Sequence, residues 1–380
     1  MFSNFTYAAE RPADGDQFGQ QDSRSIAGLD ASQAWRHTLL GLAARSEIGL
    51  QLRQDRIRVG LFDTRSRQVT AVTREDDVTE TLAGVYGQSA IELTPWLRTV
   101  LGLRADSLRA RVDSLNLAAN SGSAGASLLS PKLSLIAGPF AKTEFFFNAG
   151  RGFHSNDARG TTVTTDPKTG SPVDKVPGLA ASRGMELGAR TEAIAGLQSS
   201  IALWRLDFDS ELVYVGDAGA TEASAASRRH GVEFNNRWAP ASWLLVDADF
   251  AWTQARFANG DWIPNAVDRV ASVAFTAREI GPWSASLQWR YLCSGALVED
   301  NSVRSASSLT TNLRLTRQLG TWAGKASELT LDVFNLANRK VDDIQYFYES
   351  QVPGEAAPVA DRHVHPAEPR SLRLTLKVGF

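Results

Sequence analysis

The sequence predicts an all-β protein, an antiparallel transmembrane β-barrel. The clearest sign lies in residues 369–380, where Leu372, Leu374, Leu376, Val378 and Phe380 occupy every second position and polar residues fill the positions between them. This alternation is typical of a strand with one apolar and one polar face. A strand that ends the chain on an aromatic residue, with its apolar face outward, is typical of an outer-membrane barrel.

The composition agrees with this fold class. The chain has 380 residues, of which 43% are hydrophobic and 22% charged, with a formal net charge of −2. Such values fit neither a disordered chain nor a nucleic-acid-binding protein. A transmembrane helix needs an apolar run of about 18 residues, and no uninterrupted run in this sequence comes near that length. A membrane-spanning strand needs an apolar residue only at every second position. The single cysteine, Cys293, excludes an intrachain disulfide.

The breaks between candidate strands alternate in length. Short breaks carry Gly or Pro, as at Pro95 and at Gly281 and Pro282. The longer, polar breaks are residues 11–22, 65–77, 113–126, 152–180, 216–227, 258–265, 294–304 and 341–368. With a first strand near residues 2–10, the pattern predicts about sixteen strands, with short turns at one barrel end and long loops at the other.

The side chains within the strands support this arrangement. The apolar and polar positions of residues 243–257 alternate: Leu244, Val246, Phe250 and Trp252 oppose Asp247, Asp249 and Thr253. In residues 201–215 the same reasoning predicts that the charged side chains line the barrel interior, namely Arg205, Asp207, Asp209 and Glu211. Five tryptophans close to short turns predict an interfacial girdle at that barrel end: Trp96, Trp238, Trp243, Trp283 and Trp322.

Two segments contain candidate binding residues. Loop 152–180 opens with His154, Asn156, Asp157 and Arg159; Asn and Asp favour turns, and Arg can bind a carboxylate. In loop 341–368, His363 and His365 lie on one side of an extended chain, a spacing that suits either a metal ion or an ordinary loop. A metal site needs at least a third ligand, and Asp361 is the one candidate close in sequence. We therefore predict neither a metal site nor a cofactor. No catalytic constellation is present, so an enzyme is not expected.

Three stretches carry a resemblance to a known family: residues 148–159, residues 331–339 (Leu-Asp-Val-Phe-Asn-Leu-Ala-Asn-Arg) and residues 368–380. Together they resemble the C-terminal barrel of a TonB-dependent outer-membrane receptor. The family barrel has about 22 strands around a plug. The resemblance implies that the strand ending at Phe380 is recognised by the barrel-assembly machinery. It also implies ligand binding by the long loops, which include His154, Asn156, Asp157, Arg159, His363 and His365.

The resemblance further implies function. Receptors of this family lie among the lipids of the Gram-negative outer membrane and take up scarce ligands, most often iron–siderophore chelates, with energy from the TonB complex acting through the plug. Residues 1–380 show no signal peptide, coupling box or plug, so we expect one N-terminally incomplete barrel domain. The alternatives are a passive porin-like channel, a soluble secreted β-protein and a non-functional receptor fragment.

Overall fold

The computed structural model describes residues 2–3, 7–215, 220–223, 225–322 and 325–379, and its main element is an antiparallel sheet of 15 strands. The strands of the described chain are β1 (Phe18–Leu39), β2 (Leu42–Arg65), β3 (Gln68–Thr94), β4 (Leu97–Ser114), β5 (Gly122–Phe140), β6 (Thr143–Ser155), β7 (Leu179–Thr191), β8 (Leu197–Phe208), β9 (Leu212–Val215), β10 (Ala220–Ala223), β11 (Ser227–Ala241), β12 (Leu244–Phe257), β13 (Arg269–Ile280), β14 (Trp283–Leu292), β15 (Ser308–Trp322), β16 (Lys325–Phe334), β17 (Asp342–Ser350), β18 (Val359–Pro366) and β19 (Ser371–Val378).

Each strand of the sheet is hydrogen-bonded to the next one along the chain, apart from two hairpins that lie outside it. β9 pairs with β10 and β17 with β18, so β8 pairs with β11 and β16 with β19. Antiparallel neighbours satisfy each other's backbone groups, which is the condition for crossing a membrane with strands. In the described part of the chain, β1 and β19 are the two edges of the sheet.

The first strands are longer than a bilayer requires. β1, β2 and β3 have 22, 24 and 27 residues, whereas about 9–11 residues cross the hydrocarbon region. At a rise of about 3.4 Å per residue, β3 is about 90 Å long. The barrel wall therefore continues well past the membrane on the side of the long loops.

The strand faces alternate as expected. Leu372, Leu374 and Leu376 of β19 are 69%, 68% and 54% exposed, while Arg373 on the other face bonds to Asp332 of β16. We call these the apolar face and the polar face, and the strand registers continue both faces through the sheet. In a transmembrane barrel the apolar face meets lipid and the polar face lines the interior.

The short-turn end has the expected geometry. β1 and β2 are joined by Leu40 (φ 50°) and Gly41 (φ 81°), a left-handed pair that suits a two-residue hairpin. The predicted girdle is exposed at this end: Trp96, Trp238, Trp243 and Trp283 are 49%, 43%, 49% and 48% exposed. The side chain of Trp322 and the predicted assembly residue Phe380 lie outside the described residues.

The expected first strand near residues 2–10 is wrong for the residues described there. Phe2 forms a single bridge to Gly19, and the next described residues form no strand. Asp16 instead draws the segment into a compact loop, because its carboxylate accepts a hydrogen bond from the Ala9 N–H at 2.7 Å. The sheet therefore begins at β1.

Two expected loops, 65–77 and 113–126, are wrong in extent. β2 and β3 are joined by a tight turn at Ser66 and Arg67, and β5 already begins at Gly122. The segment after the first turn is rich in Val and Thr, which favour strands. The polar side chains at the start of β3 can be solvated by water. A polar sequence was therefore compatible with a strand as well as with a loop.

The loop expected at 341–368 contains the β17–β18 hairpin, and the one expected at 216–227 lies partly outside the described residues. The described residues also contain two 3₁₀ turns, Ala118–Asn120 and Ala158–Thr161. No helix in this part of the chain is long and apolar enough to span a membrane.

The prediction from the sequence that Arg205 and Asp207 line the barrel interior is wrong. Both share the face of Ile201 and Leu203, which are 45% and 53% exposed and belong to the apolar face. The error arose because β8 has apolar residues at both parities in its second half. Glu211 does lie on the polar face, bound to Arg229 at 2.8 Å, and Asp209 follows the last residue of β8.

The attachment of β19 to the sheet depends on Asp332, which is 4% exposed and accepts hydrogen bonds from Arg314 (2.6 Å) and Arg373 (2.9 Å). We expect Asp332→Asn to reduce the free energy of unfolding by about 1–3 kcal/mol, because two guanidiniums then lose their shared carboxylate. Amide hydrogen exchange of β19 should accelerate. The control is Asp249→Asn, an exposed carboxylate on the same face; equal effects of the two variants would contradict the account.

Candidate functional site

Asn156 closes the base of loop 156–178, which connects β6 to β7. Its side chain is 3% exposed. Its Nδ2 donates to the Pro177 carbonyl at 2.8 Å, and its backbone N–H donates to the Gly178 carbonyl at 3.1 Å. Because buried polar groups need such partners, Asn156 fixes where the loop leaves and rejoins the sheet.

A second buried asparagine, Asn120, ties this loop to the one between β4 and β5. It is 1% exposed, and its Oδ1 accepts hydrogen bonds from the N–H groups of Thr164 and Thr165, both at 3.0 Å. Its Nδ2 donates to the Thr165 carbonyl at 2.8 Å. The loop is therefore held at its base and at its middle.

The 3₁₀ turn Ala158–Thr161 presses the loop onto the polar face of the sheet. Asp157 caps this turn by accepting a hydrogen bond from the Arg159 N–H at 2.8 Å. Ala158 then packs in a small apolar cluster with side chains of β2, β3 and β4: Val78, Ala110 and Val112, flanked by Ile57 and Val59. Burial of these groups holds the loop against the barrel wall.

The loop, β1, β2 and β3 together border a cavity of about 320 Å³. Its charged lining consists of four carboxylates and three guanidiniums: Asp22, Asp55, Glu80 and Asp157, with Arg24, Arg53 and Arg159. A cavity with both charges can bind a polar ligand through several charge-assisted hydrogen bonds. Asn156 and Ser155 complete its polar rim.

Most of these charges are already paired. Asp55 is 5% exposed and accepts two hydrogen bonds from Arg53, at 2.7 and 2.9 Å; Arg24 binds Asp22 at 3.1 Å. Glu80 differs, because no hydrogen bond or ion pair reaches its carboxylate from the described residues. Glu80 is therefore the lining group whose carboxylate is available to a ligand.

The electrostatics of the loop favour a fixed pair of opposite charges. Burial alone would raise the pKa of Asp157, but Arg159, whose Nη2 lies 2.6 Å from the carboxylate, holds that pKa below its usual value. Burial likewise opposes the charged form of Arg159, and Asp157 raises its pKa. The pair therefore stays charged at neutral pH, and its contribution to loop stability is lost only as the pH falls through the lowered pKa of Asp157.

Of the site residues predicted from the sequence, three lie together: Asn156, Asp157 and Arg159 border the cavity. His154 is turned toward the neighbouring wall, where its Nε2 lies 2.8 Å from the Ser210 carbonyl. Its ring also meets the Phe208 ring edge-on, with centroids 5.7 Å apart.

The other two predicted residues, His363 and His365, belong to the β17–β18 hairpin. His363 stacks on Tyr348 with centroids 3.7 Å apart, and His365 meets Tyr346 edge-on at 5.9 Å. Tyr7, in the segment before β1, packs against His363 at 5.4 Å. The hairpin thus presents an aromatic surface, and no three metal-ligating side chains come together in the described ranges.

Sequence reasoning missed Arg24, Arg53, Asp55 and Glu80 because they lie on strands rather than loops. A usable signal existed for two of them, since residues two apart share one face of a strand. The same Arg-x-Asp spacing forms ion pairs in Arg53–Asp55 and Arg104–Asp106, both at 2.7 Å. No local pattern could have indicated Glu80, whose position depends on the fold of the loop above it.

We expect Asn120→Ala to loosen loop 156–178, because two buried N–H groups lose their acceptor at a cost of about 1–3 kcal/mol each. Limited proteolysis should then cut within residues 163–178 much faster than in the unaltered chain. Asn116→Ala is the matched control, since Asn116 is an exposed residue of the same connection. Unchanged cleavage in Asn120→Ala would contradict the assigned anchor.

We expect Arg159→Gln to raise the pKa of Asp157, because burial then acts on that carboxylate without the opposing guanidinium. A titration of the labelled Asp157 carboxyl carbon by NMR measures this shift. In the unaltered chain the midpoint should lie below the ordinary aspartate value of about 3.9. A midpoint that is the same in both proteins would show that the ion pair does not exist in solution.

Comparison with known proteins agrees with the architecture. The family model described as "TonB dependent receptor-like, beta-barrel" matches residues 2–336. No curated protein matches the sequence significantly.

Several solved structures share the fold. The ferric-catecholate import receptor Fiu of E. coli K12, in its closed form, aligns with a TM-score of 0.68 at 13% identity, over 94% of this chain and 55% of that one. The ferric citrate transporter FecA gives 0.71 at 14% identity, over 94% and 55%. The copper transporter OprC gives 0.72 at 15% identity, over 96% and 57%.

The chain therefore spans a little over half the length of these structures, and at such identities the likeness shows the fold alone. The family match covers most of the sequence and coincides with the antiparallel sheet, its apolar outer face and its paired short turns and long loops. The chain belongs to the TonB-dependent receptor-like β-barrel family.

Proposed function

We propose that the chain forms the barrel of an outer-membrane receptor that binds a small metal chelate at its long-loop end, with an iron–siderophore complex as the ligand. Uptake is driven by the TonB complex. The observation that carries the proposal is the cavity beneath loop 156–178, where an anchored loop closes charged groups of three strands into one concave site.

The size and chemistry of the cavity support a small polar ligand. Its volume of about 320 Å³ falls at the lower end of the range for small-molecule sites, about 300–1,000 Å³. Ferric chelates present oxygen atoms and charge at their surface, which guanidinium and carboxylate groups can recognise through hydrogen bonds. The carboxylate of Glu80 suits a donor group on such a ligand.

The aromatic surface of the β17–β18 hairpin supports a role in ligand entry. Tyr346, Tyr348, His363 and His365 form stacked and edge-on contacts, and such rings offer flat apolar area with polar edges. The hairpin lies at the same barrel end as loop 156–178, because both connect strands on the side opposite the short turns. The hairpin and the cavity are therefore both on the long-loop side.

Structural relatives point to the same class of ligand. Besides the ferric-catecholate receptor and the ferric citrate transporter, BauA, the ferric preacinetobactin receptor of Acinetobacter baumannii, shares the fold at 10% identity with a TM-score of 0.70. Those ligands belong to those proteins. They support the choice of a ferric chelate as the first class to test here.

Binding and uptake of radioactive iron complexes of a tris-catecholate, a tris-hydroxamate and citrate test the proposal in cells that carry the native gene. We expect saturable uptake of one complex that stops when a protonophore collapses the energy supply. Glu80→Gln should weaken binding by about 10-fold, the loss of one charged hydrogen bond.

Glu233→Gln is the matched control, because Glu233 is an exposed residue at the same parity as the polar-face residues of β11 and borders no part of the cavity. A non-saturable flux that continues without energy would contradict the receptor and favour the passive channel. Equal binding in both variants would contradict the assigned cavity while leaving energised uptake to be judged by the protonophore.

A further inference from the structure

Five arginines form a patch on the apolar side of the sheet, near its long-loop end. They are Arg151 (β6), Arg183 (β7), Arg205 (β8), Arg228 (β11) and Arg256 (β12). The strand registers place them side by side: Arg151 lies opposite Arg183, and Arg228 lies opposite Arg256. Asp207 of β8 lies between these two pairs, opposite both Arg183 and Arg228.

The side-chain parity fixes which face carries this arginine patch. Arg183 is two residues from Met185, which is 53% exposed, and Arg205 is two residues from Leu203, also 53% exposed. Residues two apart on a strand share a face. The patch therefore lies on the surface that meets the membrane and its headgroups, and not in the barrel interior.

The patch has too few carboxylates for its guanidiniums. Asp207 binds Arg205 and Arg228, both at 2.9 Å. Arg151 and Arg183 are exposed, and neither forms an ion pair with any residue that the structure describes. Like charges directly opposite one another on neighbouring strands destabilise a sheet. An external anion bound between Arg151 and Arg183 would reduce this repulsion.

Arg256 completes the patch in a different way. Its guanidinium carbon lies 3.0 Å from the centroid of the Trp262 ring, and its Nη1 donates to the Ala255 carbonyl at 2.9 Å. The stack holds the group in place without neutralising its charge. The patch thus combines one fixed and two unpaired guanidiniums with two that share Asp207.

Several other arginines of the barrel are neutralised by a neighbouring acid. On the polar face, Arg104 binds Asp106 at 2.7 Å. On the apolar side of β2 and β4, Arg58 binds Glu75 at 3.1 Å and Arg111 binds Asp113 at 3.0 Å. At these positions an acid of the wall itself neutralises the guanidinium, whereas Arg151 and Arg183 have no such acid among the described residues.

The position of the patch along the strands indicates which kind of molecule carries the anion. Successive side chains on one face of a strand are two residues apart, a repeat of about 7 Å. Arg183 lies one repeat beyond Met185, and Arg228 lies two repeats beyond Val232, on the long-loop side in both cases. The guanidiniums thus lie where the apolar band ends, at the depth of lipid headgroups.

We propose that this patch binds the phosphate of a membrane amphiphile in the leaflet on the long-loop side, with the acyl chains against the apolar band below. Guanidinium forks match phosphate oxygens in bidentate geometry, and adjacent forks favour a doubly charged phosphate monoester. The inference goes beyond chelate uptake and does not depend on which ligand the receptor carries.

The test is binding by the refolded full chain in non-ionic detergent, measured by native mass spectrometry. The probes are phosphatidic acid, diacylglycerol with the same acyl chains, and inorganic phosphate. We expect phosphatidic acid to bind more tightly than either other probe. The double variant Arg151→Gln/Arg183→Gln should weaken that binding by at least about 10-fold, because a 10-fold loss corresponds to one charged hydrogen bond and the variant removes two guanidiniums.

The control is Arg36→Gln/Arg45→Gln. It removes another cross-strand arginine pair, exposed at the short-turn end on the polar face. Folding of the test variant is expected to survive, since its substitutions relieve repulsion and remove no ion pair. Equal weakening in both variants, equal binding of diacylglycerol, or equal binding of inorganic phosphate would each overturn the proposal.

Discussion

The ladder of backbone hydrogen bonds between consecutive strands is the constraint on which the rest of this molecule depends. In lipid an unpaired backbone group costs several kilocalories per mole, and each strand between the edge strands β1 and β19 is paired on both sides. Pairing fixes the register, and the register fixes which side chains face lipid. Leu374 faces outward and Asp332 inward in the observed register of β16 and β19, in which Leu331 pairs with Leu374 and Asp332 with Arg373; a shift by one residue would exchange the faces.

The same ladder separates two uses of charge. On the polar face, many acids and arginines neutralise one another, as Asp332 does with Arg314 and Arg373. In the cavity beneath loop 156–178, Glu80 has no such partner among the described residues, and on the outer face Arg151 and Arg183 have none. These three groups lie toward the long-loop end of the wall.

Much of this fold could be predicted from the sequence, because a transmembrane strand repeats a local rule. Alternation in residues 369–380 and 243–257 indicated the correct outward faces, and tryptophans beside short turns indicated the membrane boundary. The prediction failed where alternation was ambiguous. Apolar residues at both parities of β8 concealed the outward position of Arg205, and polar but β-branched residues after Arg67 concealed the extension of β3.

The candidate site was only half accessible to sequence reasoning. Asn156, Asp157 and Arg159 could be identified because turn chemistry is local, and they border one cavity because they lie within four residues of one another at a single turn. Glu80 and Asn120 could not, since their roles arise from a loop that returns over strands distant in the sequence. Two of the predicted histidines lie in different parts of the structure: His154 packs against the wall beside β8, and His363 lies in the β17–β18 hairpin.

In the registers described, alternate residues of the strands face lipid and water. Spin labels placed singly at Leu374, Arg373, Met185 and Glu186, in the full chain reconstituted into lipid vesicles, test this alternation most directly. We expect labels at Leu374 and Met185 to collide with dissolved oxygen, and labels at Arg373 and Glu186 to collide with a water-soluble nickel complex. Equal access of the nickel complex to all four positions would contradict a membrane-spanning barrel.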